Sequence, residues 1–225
     1  LGARQVGLVA PYLAYMRQDK RFKPGEAVTS RSYARLLCAS LDFLVTVDPH
    51  LHRIHSLNEI YSIRTQVIPA APLIARWLRS HVEAPWLIGP DEESQQWVAE
   101  VADLAGAPWT VLSKKRRGDR DVGVRLVGRE RWPERTPVLL DDIISTGHTM
   151  LAATRLLKKA GLGAPLCIGV HALFDAEAQR QLLDAGVTRV LTCDTLTHPS
   201  NAIRMAPLLA RAVRQFGAAG KEMKK

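Results

Sequence analysis

Short, almost uninterrupted apolar runs alternate with amphipathic stretches along most of the chain. The runs Val6–Ala10, Phe43–Val47, Trp86–Ile88, Thr110–Leu112, Val138–Leu140, Leu166–Val170 and Arg189–Thr192 have the length and residue types of strands. Between them, Ser30–Leu41, Ser94–Ala105, Thr149–Ala160 and Asp175–Ala185 carry apolar positions at helical spacing. Strands that are apolar in succession, rather than in alternation, are buried on both faces. Interleaved with helices, they predict an α/β fold with a parallel sheet covered on both sides. Gly106, Gly161 and Gly186 follow three of the helices, where left-handed caps are expected. Pro69 and Pro72 precede a further helix, so the stretch 62–72 is the best place for a domain boundary.

Composition narrows the class. Hydrophobic content of 47% and charged content of 24% are ordinary for a globular protein of 225 residues. No apolar run approaches the length of a membrane span. The opening Leu1-Gly-Ala-Arg-Gln lacks the pattern of a signal peptide and reads as the middle of a longer sequence. Three cysteines, Cys38, Cys167 and Cys193, without metal-ligand spacing, fit a reduced, cytoplasmic protein. A net charge of +9 calls for an anionic partner, either nucleic acid or phosphorylated small molecules. No aromatic residues interleave with the densest basic run, Lys114 to Arg120, and no zinc-finger spacing occurs, so nucleic acid is set aside.

Sheets of this kind bind ligands beyond the carboxyl ends of their strands, which makes the polar residues there the candidate site. The sharpest segment is Val138-Leu-Leu-Asp-Asp-Ile-Ile-Ser-Thr-Gly-His-Thr-Met150. An apolar strand runs into two adjacent acids, then into a small-residue loop that opens a helix. Backbone N–H groups from Ser145 through Thr146, Gly147 and His148 to Thr149, with the positive end of the helix, form a cradle for a phosphate monoester. The hydroxyls of Ser145, Thr146 and Thr149 assist. Asp141 and Asp142 stand too close to such a phosphate to bind it and suit ribose hydroxyls. Ser and Thr cap ordinary helices too, but two acids closing a buried strand have no account in stability alone. No G-x-x-x-x-G-K-[ST] occurs, so the common nucleoside-triphosphate loop is not the device.

That segment resembles the signature loop of proteins that bind phosphoribosyl diphosphate, and three others narrow the likeness to the ribose-phosphate diphosphokinases. Pro11-Tyr-Leu-Ala-Tyr-Met-Arg-Gln-Asp-Lys-Arg-Phe-Lys-Pro-Gly-Glu26 resembles a family segment that helps to bind ATP. Within it Arg17, Gln18 and Asp19 match the nucleotide-contacting triplet. Val45-Thr-Val-Asp-Pro-His50 matches a strand end whose His, here His50, contributes to the magnesium–ATP site; His52 and His55 read as surface or interface residues. Leu87-Ile-Gly-Pro-Asp91 matches the family's Pro-Asp, which implies metal and ribose contacts for Asp91. The small residues that follow in the family are replaced here by Glu92, Glu93 and Ser94. These bring negative charge near a polyphosphate site, or simply favour the next helix's N-terminus. Between Leu112 and Val122 lies Ser-Lys-Lys-Arg-Arg-Gly-Asp-Arg-Asp, which in an arbitrary protein would be a solvated hairpin. The family has a mobile loop there, with a Lys and, two residues on, an Arg closing over the transferred diphosphate. An ungapped match gives these roles to Lys114 and Arg116; matching the local Lys-Arg-Arg string gives Lys115 and Arg117.

The resemblance covers nearly the whole chain, including Gly169-Val-His-Ala-Leu-Phe174 and a closing helix from Ala206 to Phe216. It implies an α/β protein of two similar phosphoribosyltransferase-type domains, with parallel-rich sheets flanked by helices. The first, residues 1–62, is expected to be incomplete, because the family's N-terminal stretch has no counterpart before Leu1. The second is expected at 63–225, with its final helix, 206–217, packing back on the first. The implied activity is transfer of diphosphate from ATP to ribose 5-phosphate with Mg2+ as cofactor, for nucleotide biosynthesis. The implied setting is a cytoplasmic homo-oligomer with active sites near subunit interfaces, without nucleic acid or membrane. Two rivals stay open. A phosphoribosyltransferase would use the Asp141–Thr149 loop but neither Arg17-Gln18-Asp19 nor the Lys114–Arg117 run. A non-catalytic regulatory subunit is the other, and Glu92 and Glu93 leave room for it.

Overall fold

The seven apolar runs all become strands, and the amphipathic stretches become helices. In chain order the first half holds β1 (Gly7–Ala10), α1 (Thr29–Cys38), β2 (Phe43–Val47), β3 (Arg64–Ile68), α2 (Ala71–His81), β4 (Pro85–Gly89), α3 (Gln95–Ala105), β5 (Trp109–Val111) and β6 (Ser113–Arg117). The second half holds β7 (Asp121–Arg125), β8 (Thr136–Ile144), α4 (His148–Lys159), β9 (Leu166–Ala172), α5 (Ala176–Asp184), β10 (Arg189–Cys193), β11 (Asn201–Ile203) and α6 (Ala206–Glu222). The computed structural model describes residues 2–117, 121–125 and 134–222, with the backbone alone at 113–117, 121–125 and 217–222.

The chain divides into two units, Leu1–Pro69 with Met205–Lys225, and Ala70–Arg204. The division lies inside the proline-marked stretch 62–72. Strand β3 pairs with β2 along its whole length, so it stays with the first unit rather than joining the second, where a boundary at 62 would put it. Its sequence, Arg-Thr-Gln-Val-Ile, begins polar and ends in one buried residue, which is why it does not read as a strand.

In the first unit β1, β2 and β3 form a parallel sheet with β2 at its centre. Leu13, Met16, Ala34, Leu44, Ile54 and Leu57 form its core. A 3-10 turn, Leu57–Glu59, closes the loop before β3 with a reciprocal Ser56–Glu59 capping box. Helix α6 packs on β2 and β3. Phe216 stacks on Phe43 with ring centroids 4.5 Å apart, and the Arg64 guanidinium lies 5.2 Å over the Phe216 ring. Gln66 Nε2 donates to Gln215 Oε1 at 3.2 Å. The last helix of the sequence is therefore a structural part of its first unit.

The second unit has six parallel strands in the order β11-β10-β9-β8-β4-β5. All seven residues of β9 are buried, as a strand covered on both faces requires. Trp86, Ile88, Leu139, Met150, Phe174 and Leu182 belong to one core under α4 and α5. Pro72 sits in the first turn of α2, where its missing N–H costs nothing. Gly106, Gly161 and Gly186 all take positive φ after their helices. The basic run folds as an antiparallel ribbon, β6 on β7, with Lys114 opposite Val124 and Arg116 opposite Val122; residues 118–120 lie outside the described residues. No helix among the described residues is long and apolar enough to cross a membrane.

Gly169 marks the tightest packing between β8 and β9. It pairs with Asp141, and a Cβ there would lie 2.8 Å from Ile144 Cγ1 and Cδ1. Gly169→Ala is expected to destabilise the protein by about 1–3 kcal/mol through overpacking. Urea unfolding should show a lower midpoint at unchanged slope; an unshifted midpoint would contradict this packing.

Candidate functional site

Strands β4, β8, β9 and β10 run parallel, so their carboxyl ends share one edge of the second unit. At that edge β8 differs from expectation. It does not stop at Leu140 but continues to Ile144, so Asp141 and Asp142 stand inside the ladder. The neighbouring β9 supplies partners that far: Asp141 pairs with Gly169, Ile143 with His171 and Ile144 with Ala172. Strict alternation would send the two side chains to opposite faces, yet they stay within hydrogen-bonding reach of one another. Both are half-buried.

Beyond β8 the chain makes the small-residue loop. Ser145 is half-buried, Gly147 is buried, and Thr146, His148 and Thr149 are exposed. Gly147 is the N-cap of α4 at φ 74, a left-handed conformation that favours glycine. Added to Gly147, a Cβ would already touch Ala178 and Leu182 of α5 at 3.5 and 3.7 Å, so α5 backs the loop closely. The first intrahelical bond runs from the Leu151 N–H to the Gly147 carbonyl at 2.8 Å, and no side chain caps the helix. Its leading N–H groups have no acceptor within the helix, and they lie at its positive end. This loop can hold an anion.

Asp91 follows β4. Its Oδ1 accepts the Ser94 N–H at 3.2 Å, and the Ser94 hydroxyl donates to the Asp91 carbonyl at 2.7 Å, which fixes the turn into α3. Glu92 and Glu93 are exposed on that turn. Asp91 also acts electrostatically on Asp141. Burial first, then the charges of Asp142 and Asp91 and a side-chain hydrogen bond with Asp142, push the Asp141 carboxyl well above the usual carboxylate range. The Asp142 N–H, donated to Asp141 Oδ1 at 3.0 Å, opposes this but does not reverse it. The Asp141 carboxyl thus feels two other acids, Asp142 beside it on β8 and Asp91 just beyond β4.

In the first unit the expected nucleotide residues lie in the loops after β1 and β2. Arg17 and Gln18 are exposed, and His50 is half-buried. Asp48 and His50 both adopt positive φ, 32 and 53, uncommon for residues with a Cβ and costly to hold. The Asp19 side chain is 2% exposed, and Arg53 Nη1 lies 3.2 Å from one of its oxygens and 3.3 Å from the other. His52 is half-buried and His55 exposed. For Lys114, Arg116, Lys115 and Arg117 the backbone positions are given above; their side chains lie outside the described residues.

One polar group at the strand edge escaped the sequence reading. His171 is fully buried on β9, and its Nδ1 lies 2.9 Å from Thr195 Oγ1. The Thr195 hydroxyl donates to the Val170 carbonyl at 3.0 Å, so it accepts from His171, which places the Nδ1 proton. A second set joins Thr192, His198, Ser200 and Asn201, with Thr192 Oγ1 and His198 Nδ1 each 2.7 Å from Ser200 Oγ. The signal was a lone histidine in an otherwise apolar run of β9.

The family model described as "Phosphoribosyl transferase domain" matches residues 57–208, and that described as "N-terminal domain of ribose phosphate pyrophosphokinase" matches residues 1–40. A ribose-phosphate pyrophosphokinase of Methanopyrus kandleri is 37% identical over 218 residues, covering 96% of this chain and 73% of the relative. The chain belongs to the ribose-phosphate pyrophosphokinase family. A second relative of that name, from Methanothermobacter thermautotrophicus, is 34% identical over 95% of this chain and 74% of its own length. Among solved structures, the phosphoribosylpyrophosphate synthetase of Mycobacterium smegmatis superposes with a TM-score of 0.83 at 26% identity, covering 96% of this chain and 73% of that one. Two α/β phosphoribosyltransferase-like domains with parallel sheets flanked by helices are the architecture of this family member.

The raised Asp141 value has a direction in pH. Burial and the neighbouring acids favour the protonated Asp141 carboxyl in the folded protein more than in the unfolded chain. Its stabilising contribution is therefore complete below the ordinary carboxylate range and is lost as pH rises through the folded value. Thermal melts between about pH 4 and pH 8 should show the wild type losing more Tm with rising pH than Asp141→Asn does. Parallel curves for the two proteins would contradict the crowding of acids.

Proposed function

We propose that this chain transfers diphosphate from magnesium-bound ATP to the anomeric hydroxyl of ribose 5-phosphate, giving 5-phosphoribosyl 1-diphosphate and AMP. The observation that carries the reading is the end of β8, where an acid pair and an anion-holding loop are contiguous and Asp91 lies within electrostatic reach. Membership of the ribose-phosphate pyrophosphokinase family supports the general reaction, synthesis of phosphoribosyl pyrophosphate by an enzyme. Ser145, Thr146, Gly147, His148 and Thr149 receive the 5-phosphate. Asp141 and Asp142 take the ribose hydroxyls, whose O–H groups satisfy carboxylates that otherwise repel one another.

Arg17, Gln18 and His50 are assigned to ATP. Magnesium enters with the nucleotide as part of the substrate, where it neutralises phosphate charge. Among the described residues no group of three or more His, Cys, Asp or Glu could hold a metal ion by itself. The ion's remaining ligands are assigned to phosphate and water oxygens, the usual arrangement for magnesium. Asp91 fits as its protein ligand, since a divalent cation would relieve the crowding at Asp141. His50 offers nitrogen, a poor direct ligand for this ion, and is assigned a contact through water or phosphate.

In the transfer the ribose O1–Pβ bond forms, the bond from Pβ to the bridging oxygen of the α-phosphate breaks, AMP leaves with that oxygen, and the anomeric hydroxyl's proton passes to solvent. Such a step depends on in-line placement and on neutralising developing charge rather than on covalent help. Lys114 and Arg116 are assigned the neutralising role. Two apart on β6, positions 114 and 116 belong to one face of the ribbon and 115 and 117 to the other.

The test is AMP and phosphoribosyl diphosphate formation from ATP, magnesium and ribose 5-phosphate. Lys114→Ala and Arg116→Ala should each lower the rate about 10²–10³-fold, and the same changes at Lys115 and Arg117 far less. If the wild type binds ribose 5-phosphate yet releases no AMP, the non-catalytic reading replaces this one.

A further inference from the structure

We propose that Asp19 and Arg53 form a clasp that sets the spacing of the two nucleotide-binding loops of the first unit, so that both act on ATP as positioning residues. This rests on the diphosphokinase reading and alters one part of it. Asp19, which the resemblance places among nucleotide contacts, would act through Arg53 instead of touching the nucleotide.

The geometry points there from both sides. A carboxylate that met a polyphosphate or its metal would need an open face, but the Asp19 side chain is 2% exposed and both its oxygens lie within 3.3 Å of Arg53 Nη1. A buried carboxylate must be paired to stay charged. The two partners are 34 residues apart, one on each loop. Asp19 directly follows Arg17 and Gln18; Arg53 lies three residues beyond His50. Each loop is also tied locally. The Gln18 N–H donates to the Tyr15 carbonyl at 2.9 Å, and the Gln18 carbonyl accepts the Ser30 N–H of α1 at 3.2 Å. Across the loops, the Val47 N–H donates to the Pro11 carbonyl at 3.0 Å, which joins their bases next to the strands. The Asp19–Arg53 pair joins them a second time farther out, beyond the residues assigned to ATP. With the loops fixed at two points, the residues between have little freedom, and the strained φ of His50 is held in place.

The clasp predicts coupling. Mg-ATP affinity would be measured by calorimetry on the full chain for wild type, Asp19→Asn, Arg53→Gln, the double variant and Arg53→Lys. AMP release, the KM for ribose 5-phosphate and thermal melting would be recorded alongside. Each single variant should weaken Mg-ATP binding by about tenfold, and the double by no more than either single, since one interaction is lost in all three. Arg53→Lys should recover part of the affinity, and the KM for ribose 5-phosphate should stay unchanged. A purely structural role would lower Tm and the active fraction but leave the affinity of the folded protein alone. Additive losses in the double variant would mean that Asp19 meets the nucleotide itself, and overturn the clasp; so would unchanged affinity in Arg53→Gln. If Arg53→Gln does not fold, Arg53→Lys decides, because a folded Lys variant with no gain over Asp19→Asn also overturns it. A wild type that binds Mg-ATP but releases no AMP sinks the diphosphokinase reading and leaves the clasp to the affinity data. A wild type that does not bind Mg-ATP sinks both.

Discussion

Strand β8 is paired on both sides, to β4 and to β9, and this double pairing governs the second unit. A central strand cannot shift its register without breaking two ladders and turning its whole apolar set to the wrong face. Its last residues are therefore fixed in space. The chain uses this by placing Asp141 and Asp142 there, followed at once by Ser145, Thr146 and Gly147. Gly169, opposite Asp141, has no side chain, and Ile144 fills the space it leaves. Burial first, and then the acids held beside it, raise the Asp141 carboxyl above the usual carboxylate range. A group held in an unfavourable state by a rigid scaffold is what a ligand can reward, whether with hydroxyl donors or with a cation.

The first unit reaches rigidity differently. Among the described residues its sheet has three strands, and much of its order comes from α6, which packs on that sheet from far along the sequence. Phe43 is a hinge of this arrangement. Its ring covers Gly7, where a Cβ would collide with it, and stacks on Phe216. The same side chain thus fixes β1 to β2 and α6 to the sheet.

Much of this was readable in the sequence. Buried parallel strands such as Leu166–Ala172 announce themselves by continuous apolar residues, and glycines such as Gly106 mark where helices stop. The elements missed were those whose stability comes from elsewhere. Strand β3 is polar for most of its length and exists through its ladder to β2; β11 has three residues, one of them buried. The end of β8 was missed for a related reason. Adjacent acids normally end an apolar run, and only the length of β9 beside them keeps the strand going. The loop that opens α4 was legible because it is local, with cap, glycine and helix in sequence order. The Asp19–Arg53 pair was not, because no periodicity links positions 34 residues apart. His171 showed only as one histidine in an apolar run, and its partner Thr195 is 24 residues away.

The turn after β4 shows how the departure at Glu92 and Glu93 can be tolerated. Its shape is set by its buried members. The Ser94 hydroxyl and N–H both bond to Asp91, Ser94 is buried, and Gly89 lacks the Cβ that would strike the Ser94 hydroxyl. The Glu92 and Glu93 side chains are exposed. Glutamates at these two positions therefore add charge on the exposed side of the turn. Charge alone acts in two opposed ways here. Near the start of α3 it is favourable, since the helix's positive end faces it. Near any anion it is unfavourable, and for exposed carboxylates both effects are screened by salt. The departure therefore lies on the exposed side of a turn whose buried side is set by Asp91, Ser94 and Gly89.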